Sequence, residues 1–222
     1  MVFLENSFNC IDCLSGFEAL AANSIDHVFT SPPYNRKRND KYNFYNDVQV
    51  DYENFISAVI EQSLRVCREF VFLNIQKNYY NKHEVFKLIG KYSKYIVDII
   101  IWTKTNPMPA SGFNVTNSYE FIIVLQKGCK PLKSNRTYTK NHIETNVYSS
   151  NPFKSVHRAV MHPELALKVL GDFTKEGQLI LDPFMGIGTT AFACIELGRK
   201  FVGFELSEEY CQISKERFPV FN

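Results

Sequence analysis

Apolar stretches of strand length alternate with amphipathic stretches of helix length, and this alternation is the strongest constraint on the fold. Some stretches, such as Phe70-Val71-Phe72-Leu73, are apolar throughout, as expected for strands that are buried on both faces. Strands are predicted at residues 7–11, 26–30, 70–75, 95–103, 118–126, 178–182 and 200–204. Helices are predicted at residues 14–22, 51–68, 82–92, 163–173, 189–197 and 207–217. The pattern predicts an α/β sheet with helices on both faces.

The composition excludes several classes of protein. The 222 residues are 45% hydrophobic and 22% charged, which argues against disorder and against a fibrous repeat. The longest strongly apolar run, residues 95–102, is interrupted by Asp98 and is too short to cross a bilayer. The N-terminus lacks the basic start and the apolar stretch of a signal peptide. We therefore expect one cytoplasmic domain over residues 1–222, with no membrane partner and with its six cysteines reduced.

The net charge of +2 conceals two basic segments. Residues 35–41 carry Arg36, Lys37, Arg38 and Lys41 against one acidic residue. Residues 130–158 carry Lys130, Lys133, Arg136, Lys140, Lys154 and Arg158, also against one acidic residue. Two basic segments on an otherwise acidic chain indicate a polyanion that approaches from one side. Charge alone leaves open an alternative, in which both segments are solvated loops without a partner.

The motif Ser31-Pro32-Pro33-Tyr34 follows a predicted strand, at the edge where open α/β sheets bind ligands. The prolines fix the backbone and remove two amide donors, so Ser31 Oγ and the Pro32 carbonyl can both accept from one amino group. Tyr34 offers a flat face on which a base can stack. Paired acceptors would pull the conjugated NH2 of a nucleobase toward a nucleophilic form. The alternative is a rigid turn that only ends the strand.

A second motif, residues 179–190, reads as a strand, a glycine turn and a helix that opens at Thr189 or Thr190, with threonine as N-cap. Gly186 and Gly188 allow the backbone to approach a ligand closely. The spacing matches neither a dinucleotide fingerprint nor a phosphate-binding loop. Glu205 ends the next strand, where a carboxylate can accept both hydroxyls of a ribose. Together these features favour a nucleoside ligand without a phosphate cradle, although each alone is more typical of a turn or a cap.

The two motifs in this order resemble the amino-methylating DNA methyltransferases, which use S-adenosyl-L-methionine to methylate cytosine N4 or adenine N6. The order, with the catalytic motif first, resembles the permuted beta class, and the resemblance covers nearly the whole chain. It implies a Rossmann-like methyltransferase fold with a mostly parallel seven-stranded sheet and helices on both faces. The single domain would comprise a catalytic half (about 1–127), a basic loop (about 128–160) and a cofactor-binding half (about 161–222).

The resemblance also implies roles for individual residues. The catalytic residues would be Ser31, Pro32, Pro33 and Tyr34. The cofactor-binding residues would be Asp12, His162, Asp182, Phe184, Gly186, Gly188, Thr189 and Glu205, with Asp12 near the adenine and His162 near the methionine. The charge pattern, rather than the resemblance, predicts the DNA-binding residues, because the first basic segment directly follows Tyr34 and the second could form the opposite wall of the cleft. These residues are Arg36, Lys37, Arg38, Lys41, Lys133, Arg136, Lys140, Lys154 and Arg158. The target base would be flipped out of the duplex, and no metal is required.

The departures from the family pattern bear on the substrate. Ser31 stands where many relatives have Asp and is more typical of cytosine-N4 enzymes, so cytosine N4 is favoured and adenine N6 is the alternative. Ile187 stands where relatives often have Ser. Less favoured alternatives are an RNA or protein amino methyltransferase and an inactive nucleic-acid-binding module. DNA is the expected partner, while a cognate restriction endonuclease and a homodimer are left open.

Overall fold

The computed structural model describes residues 3–36, 49–107, 116–148, 151–153 and 160–219. The strands are β1 (Ser7–Cys10), β2 (His27–Thr30), β3 (Val71–Ile75), β4 (Ile96–Lys104), β5 (Tyr119–Leu125), β6 (His142–Thr145), β7 (Leu179–Asp182) and β8 (Lys200–Glu205). The helices are α1 (Cys13–Glu18), α2 (Tyr52–Val66), α3 (Lys82–Lys91), α4 (Pro163–Phe173), α5 (Thr189–Glu196) and α6 (Glu208–Arg217), with a 3-10 turn at Ser93–Tyr95. All the predicted strands and helices are present with small shifts at their ends, except that α1 stops at Glu18 instead of residue 22.

The strands form one sheet in the order β1-β8-β7-β2-β3-β5-β4-β6. Neighbouring strands are parallel except for β5, which is antiparallel to both β3 and β4. The prediction of a mostly parallel sheet is confirmed, but the described residues form eight strands rather than seven. The additional strand, β6, lies where the sequence predicted an irregular segment. Its four residues carry too short a pattern to recognise, and pairing with β4 orders them.

The chain order places a crevice between β2 and β7. From β7 the chain continues through α5 to β8 on one side, and from β2 it continues through α2 to β3 on the other. The strand order thus reverses direction between β2 and β7, and in open α/β sheets ligands bind at the carboxyl ends of the strands at such a point. We call this edge of the sheet the carboxyl edge and the opposite one the amino edge.

The sheet is covered on both faces, as predicted. One apolar core lies under α1, α2 and α3, and the other lies under α4 and α5. The alternating side chains of β2 and β3 enter the two cores in turn: Val28 and Leu73 enter the first, and Phe29 and Phe72 the second. This arrangement explains why the runs are apolar throughout. None of the described helices has both the length and the apolar character needed to span a membrane.

Candidate active site

Hydrogen bonds join the ends of four parallel strands at the carboxyl edge. Thr30, which ends β2, donates from its hydroxyl to Asp182 Oδ1 at the end of β7, over 2.8 Å. Glu205, which ends β8, accepts from the Gly186 amide over 2.8 Å and from the Ile11 amide at its carbonyl over 3.0 Å. Two motifs that are far apart in the sequence therefore lie side by side.

The Ser-Pro-Pro-Tyr loop is held through its backbone carbonyls. The Tyr52 hydroxyl donates to the Pro33 carbonyl over 2.9 Å. The side-chain amides of Asn78 and Asn81 both donate to the Tyr34 carbonyl, over 2.8 and 2.9 Å. Among the described residues, no hydrogen bond engages the Pro32 carbonyl, which was predicted to face a substrate.

The Ser31 and Tyr34 side chains point into a polar cluster rather than standing free. Ser31 Oγ lies 2.7 Å from Tyr34 Oη and 3.2 Å from Asn74 Oδ1. Tyr34 Oη lies 2.9 Å from both Asn74 Oδ1 and Glu120 Oε2. Burial and the charge of Glu120 raise the pKa of the Tyr34 hydroxyl well above its ordinary value, so it keeps its proton.

The ring of Tyr34 was predicted to stack on a base. In the structure the Arg36 guanidinium lies over this ring, 5.6 Å from its centre. Arg36 also donates to Gln76 Oε1. A base that stacks on the covered face must therefore displace Arg36.

Sequence reasoning missed Asn74 and Glu120, although both leave a detectable signal. Each is a polar residue inside an apolar strand, and both are buried, at 0% and 3% exposure. A buried polar side chain requires partners. Polar residues near the ends of two predicted strands therefore indicate that these ends meet.

Asp182 was predicted to contact the cofactor, and in the structure its carboxylate meets three donors of the protein itself. Its Oδ1 accepts from Thr30 and from the Phe184 amide over 3.0 Å, and its Oδ2 accepts from the Thr190 hydroxyl over 2.5 Å. These bonds direct both carboxylate oxygens into the protein, where they fix the glycine loop. Burial raises the pKa of Asp182 from 3.8 to about 6, so its ionisation lowers stability as the pH rises through this interval.

The start of α5 differs in detail from the prediction. The helix begins at Thr189, but Gly188 is the N-cap, with a left-handed φ of 88°. A side chain is strained in this conformation, and a Cβ here would lie 2.8 Å from the Phe218 ring. Thr190 does not cap the helix, because its hydroxyl bonds to Asp182.

Glu205 holds the glycine loop from the other side. Its two carboxylate oxygens accept from the Gly186 and Ser207 amides, each over 2.8 Å. Burial raises the pKa of Glu205 above its ordinary value, and these amide bonds oppose the rise. Each carboxylate oxygen has a second acceptor position, so these bonds leave capacity for ribose hydroxyls.

The other predicted cofactor residues also lie at the carboxyl edge. Asp12 caps α1 by accepting from the Leu14 amide over 3.0 Å, and it directly follows Ile11, which is bonded to Glu205. Phe184 packs edge-on against Phe55, with ring centres 5.9 Å apart. His162 caps α4 through Nδ1, and its ring lies 5.1 Å from that of Tyr148. Burial lowers the pKa of His162, which favours the neutral ring.

The predicted DNA-binding residues are separated by the structure. Arg36 lies at the carboxyl edge, next to Tyr34. Lys133, Arg136 and Lys140 lie at the amino edge, because this segment is anchored to the end of α4. The anchors are an ion pair between Arg136 and Asp172 and a 3.1 Å bond from the Asn135 side chain to the Gly171 carbonyl.

These three residues cannot form the opposite wall of the cleft, so that prediction is wrong for them. The remaining predicted DNA contacts lie outside the described residues. They are Lys37, Arg38, Lys41, Lys154 and Arg158. In the described part of the chain, no group of three or more His, Cys, Asp and Glu side chains is placed to hold a metal ion.

The DNA methylase family model N6_N4_Mtase matches residues 25–216. The chain belongs to this family. It is 25% identical to the type II methyltransferase M.HinfI of Haemophilus influenzae, over 93% of this chain and 66% of M.HinfI. It is 35% identical to the type II methyltransferase M.SmaI of Serratia marcescens, over 55% of this chain and 46% of M.SmaI. The chain thus spans just under two thirds of the first relative and less than half of the second.

Solved structures of other proteins share the fold. The cytosine-N4-specific PvuII DNA methyltransferase superposes with a TM-score of 0.78 at 19% identity, covering 96% of this chain and 86% of that one. M1.HpyAVI, solved as a complex with SAM, superposes with a TM-score of 0.67 at 21% identity, covering 96% and 99%. The predicted family and fold class are therefore confirmed.

The Asp182 contacts lead to a stability prediction. Thr190→Val keeps the side-chain volume but removes one donor, so unfolding free energy should fall by about 1–3 kcal/mol. This hydrogen bond stabilises the ionised carboxylate, so the loss should be largest above pH 6 and should shrink as the pH falls below about 6. Urea denaturation at about pH 8 and about pH 5 measures both values.

Thr189→Val is the matched control, since the neighbouring hydroxyl does not contact Asp182. It should cost less, with no such change between the two pH values. An equal loss in both variants, or a loss for Thr190→Val that does not depend on pH, would contradict the assignment.

Proposed function

We propose that the chain transfers the methyl group of S-adenosyl-L-methionine to the exocyclic amino group of a flipped DNA base, with cytosine N4 as the target. One observation carries the proposal. The Ser31 loop and the glycine loop are joined through Thr30 and Asp182, so an amino acceptor and a nucleoside cofactor would share one crevice. Membership of the DNA methylase family supports the same reaction.

The residues at the glycine loop fit the cofactor. Glu205 would accept the ribose hydroxyls at its remaining acceptor positions, and the absence of a side chain at Gly186 admits the ligand close to the backbone. Asp12 would lie toward the adenine, and His162 toward the methionine. M1.HpyAVI, which shares the fold, was solved with SAM bound.

The bound cofactor supplies a methyl group on a sulfonium, which is electrophilic without help from a metal. Ser31 Oγ and the Pro32 carbonyl would accept hydrogen bonds from the target NH2 and direct its lone pair toward this methyl group. The amino nitrogen would take the methyl group in line with the departing thioether sulfur and would release one proton to solvent, so the protein would contribute mainly by positioning the two groups. The target base must leave the duplex to reach Ser31.

Two observations favour cytosine N4 over adenine N6. Ser31 is the serine form of the motif, and the PvuII enzyme that superposes with a TM-score of 0.78 is named cytosine-N4-specific. The type II names of M.HinfI and M.SmaI support a cognate restriction endonuclease as partner. A homodimer and a cytoplasmic location stay predictions from the sequence.

Glu205→Ala should weaken binding of S-adenosyl-L-methionine by about 1.5–3 kcal/mol, the range for hydrogen bonds to a charged group. Ser214→Ala is the matched control. Ser214 donates to the Gly186 carbonyl over 2.8 Å and so anchors the same loop without belonging to the proposed ligand site. Calorimetry on the folded variants measures both affinities. Unchanged affinity in Glu205→Ala, or an equal loss in Ser214→Ala, would remove the ribose contact from the proposal.

Ser31→Ala should lower kcat and kcat/KM equally, by about ten- to a hundredfold, because the missing hydrogen bond orients the reacting amino group. Cofactor affinity should stay near the wild-type value. Single-turnover assays with nucleoside mass analysis measure the rate and identify the product. Wild-type turnover in Ser31→Ala would exclude Ser31 from the mechanism. N6-methyladenine as the sole product would show that the target base is adenine and not cytosine.

The carboxyl edge is the surface that we assign to DNA. Arg36 lies there beside Tyr34, and Tyr79 and Tyr80 expose 68% and 49% of their surface nearby. The turn that carries these two rings is tied to the Tyr34 carbonyl by Asn78. Positive charge beside exposed aromatic rings suits phosphates and unstacked bases.

The Arg36→Ala, Lys37→Ala, Arg38→Ala triple variant should bind matched and unmatched DNA more weakly, to a similar degree. The slope of log affinity against log salt should flatten by about 1 for each phosphate that the variant no longer neutralises. The control triple is Lys133→Ala, Arg136→Ala, Lys140→Ala, which removes the same charge from the amino edge. Equal effects of both triples would show that only net charge matters, and this result would reject the carboxyl edge as the DNA surface.

A further inference from the structure

Glu120 is a carboxylate buried beside the proposed substrate site, and four donors surround it. Its Oε2 accepts from Tyr34 Oη over 2.9 Å and from Asn74 Nδ2 over 3.2 Å. Its Oε1 accepts from Gln76 Nε2 over 3.2 Å and from Lys104 Nζ. A buried carboxylate is costly, and this one has a partner at each oxygen.

The amide of Asn74 can face only one way. Its Nδ2 donates to Glu120 Oε2 and to the Phe121 carbonyl, each over 3.2 Å. Its Oδ1 faces the hydroxyls of Ser31 and Tyr34, at 3.2 and 2.9 Å. If the amide turned over, Oδ1 would meet a carboxylate and a carbonyl, both of which only accept. Glu120 and the Phe121 carbonyl therefore set the orientation of Asn74.

This orientation determines where Ser31 directs its proton. If Tyr34 donates to Ser31, the Ser31 proton goes to Asn74 Oδ1. If Tyr34 donates to Glu120 or to Asn74 Oδ1 instead, the Ser31 proton has an acceptor in Tyr34 Oη, 2.7 Å away. In both arrangements the proton points into the protein, and a lone pair of Ser31 faces the crevice.

We propose that Glu120 is a positioning residue that holds Ser31 as a hydrogen-bond acceptor toward the target amino group, acting through Asn74 and Tyr34. The inference rests on the proposed function and adds a residue from β5 to it. A group that only accepts is required at this point, because Asn74 Nδ2 donates to it and Tyr34 Oη lies within donating distance of it. The high pKa of Tyr34 keeps it a donor throughout the working pH range.

Glu120→Gln tests the proposal because it removes the charge and leaves the side-chain volume nearly unchanged. Lys104 would hold the amide oxygen, so the amide nitrogen would face Asn74 Nδ2 and Tyr34 Oη. Two donors would then oppose each other, and the Asn74 amide would turn over at the cost of its bond to the Phe121 carbonyl. Tyr34 Oη would then face only donors apart from Ser31 Oγ, so it would donate to Ser31 and leave Ser31 without an inward acceptor. We expect kcat to fall about tenfold or more, while the affinities for S-adenosyl-L-methionine and for DNA stay near wild type.

The double variant Glu120→Gln, Asn74→Asp exchanges the amide and the carboxylate between positions 74 and 120. The carboxylate introduced at position 74 would accept from the amide introduced at position 120 and from both hydroxyls, so the Ser31 proton would again point inward. It would lose the bond to the Phe121 carbonyl, so we expect this variant to regain part of the activity that Glu120→Gln loses. If Glu120 served only packing or folding, the second substitution would lower the activity further. A double variant no more active than Glu120→Gln, or a wild-type kcat in Glu120→Gln, would overturn the proposal.

A second readout does not depend on catalysis. In protein labelled at tyrosine Cζ with ¹³C, the Tyr34 signal is assigned by its absence in Tyr34→Phe, and pH titration reports its ionisation. Removal of the Glu120 charge should lower the pKa of Tyr34 in Glu120→Gln. An unchanged Tyr34 pKa would show that the contact does not exist in solution and would overturn the inference. A wild-type protein that methylates no DNA base would refute the proposed function, and the titration would still test the cluster.

Discussion

The site depends on the hydrogen bonds that the buried carboxylate of Asp182 accepts. This carboxylate binds the hydroxyl of Thr30, which immediately precedes Ser31, and it binds the Phe184 amide and Thr190 on either side of the glycine turn. Burying this charge costs several kcal/mol, which three charge-assisted hydrogen bonds offset. The result is a fixed spacing between the loop assigned to the base and the loop assigned to the cofactor. Group transfer by direct displacement requires such a spacing.

The fold was largely predictable because its strands and helices differ in their apolar patterns. β3 is buried on both faces, and α4 begins with Pro163 after the cap His162, so both have clear local signals. β6 has no such signal. Only Ile143 and Thr145 of its four residues are buried, and the strand exists because β4 offers an edge to pair with.

Site residues that lie in short sequence motifs could be predicted. Site residues that meet only through the pairing register of two strands could not. Ser31 and Glu205 lie in local patterns, and the structure brings both to the carboxyl edge. Asn74 and Glu120 are far apart in the chain, and they meet because β5 runs antiparallel to β3. The register between β3 and β5 is set by tertiary contacts and cannot be predicted from either strand alone. The predicted position of Arg136 was wrong for a similar reason. Its charge is visible in the sequence, but its ion pair with Asp172 is not.

The reversed direction of β5 has a consequence for where the chain can vary in length. β4 ends and β5 begins at the carboxyl edge, so the connection between Lys104 and Tyr119 must leave and re-enter the sheet on the side of the crevice. Chain added there lengthens a connection without moving a strand. A change of length in this connection can therefore alter the surface beside the crevice while the strands that carry the site keep their register.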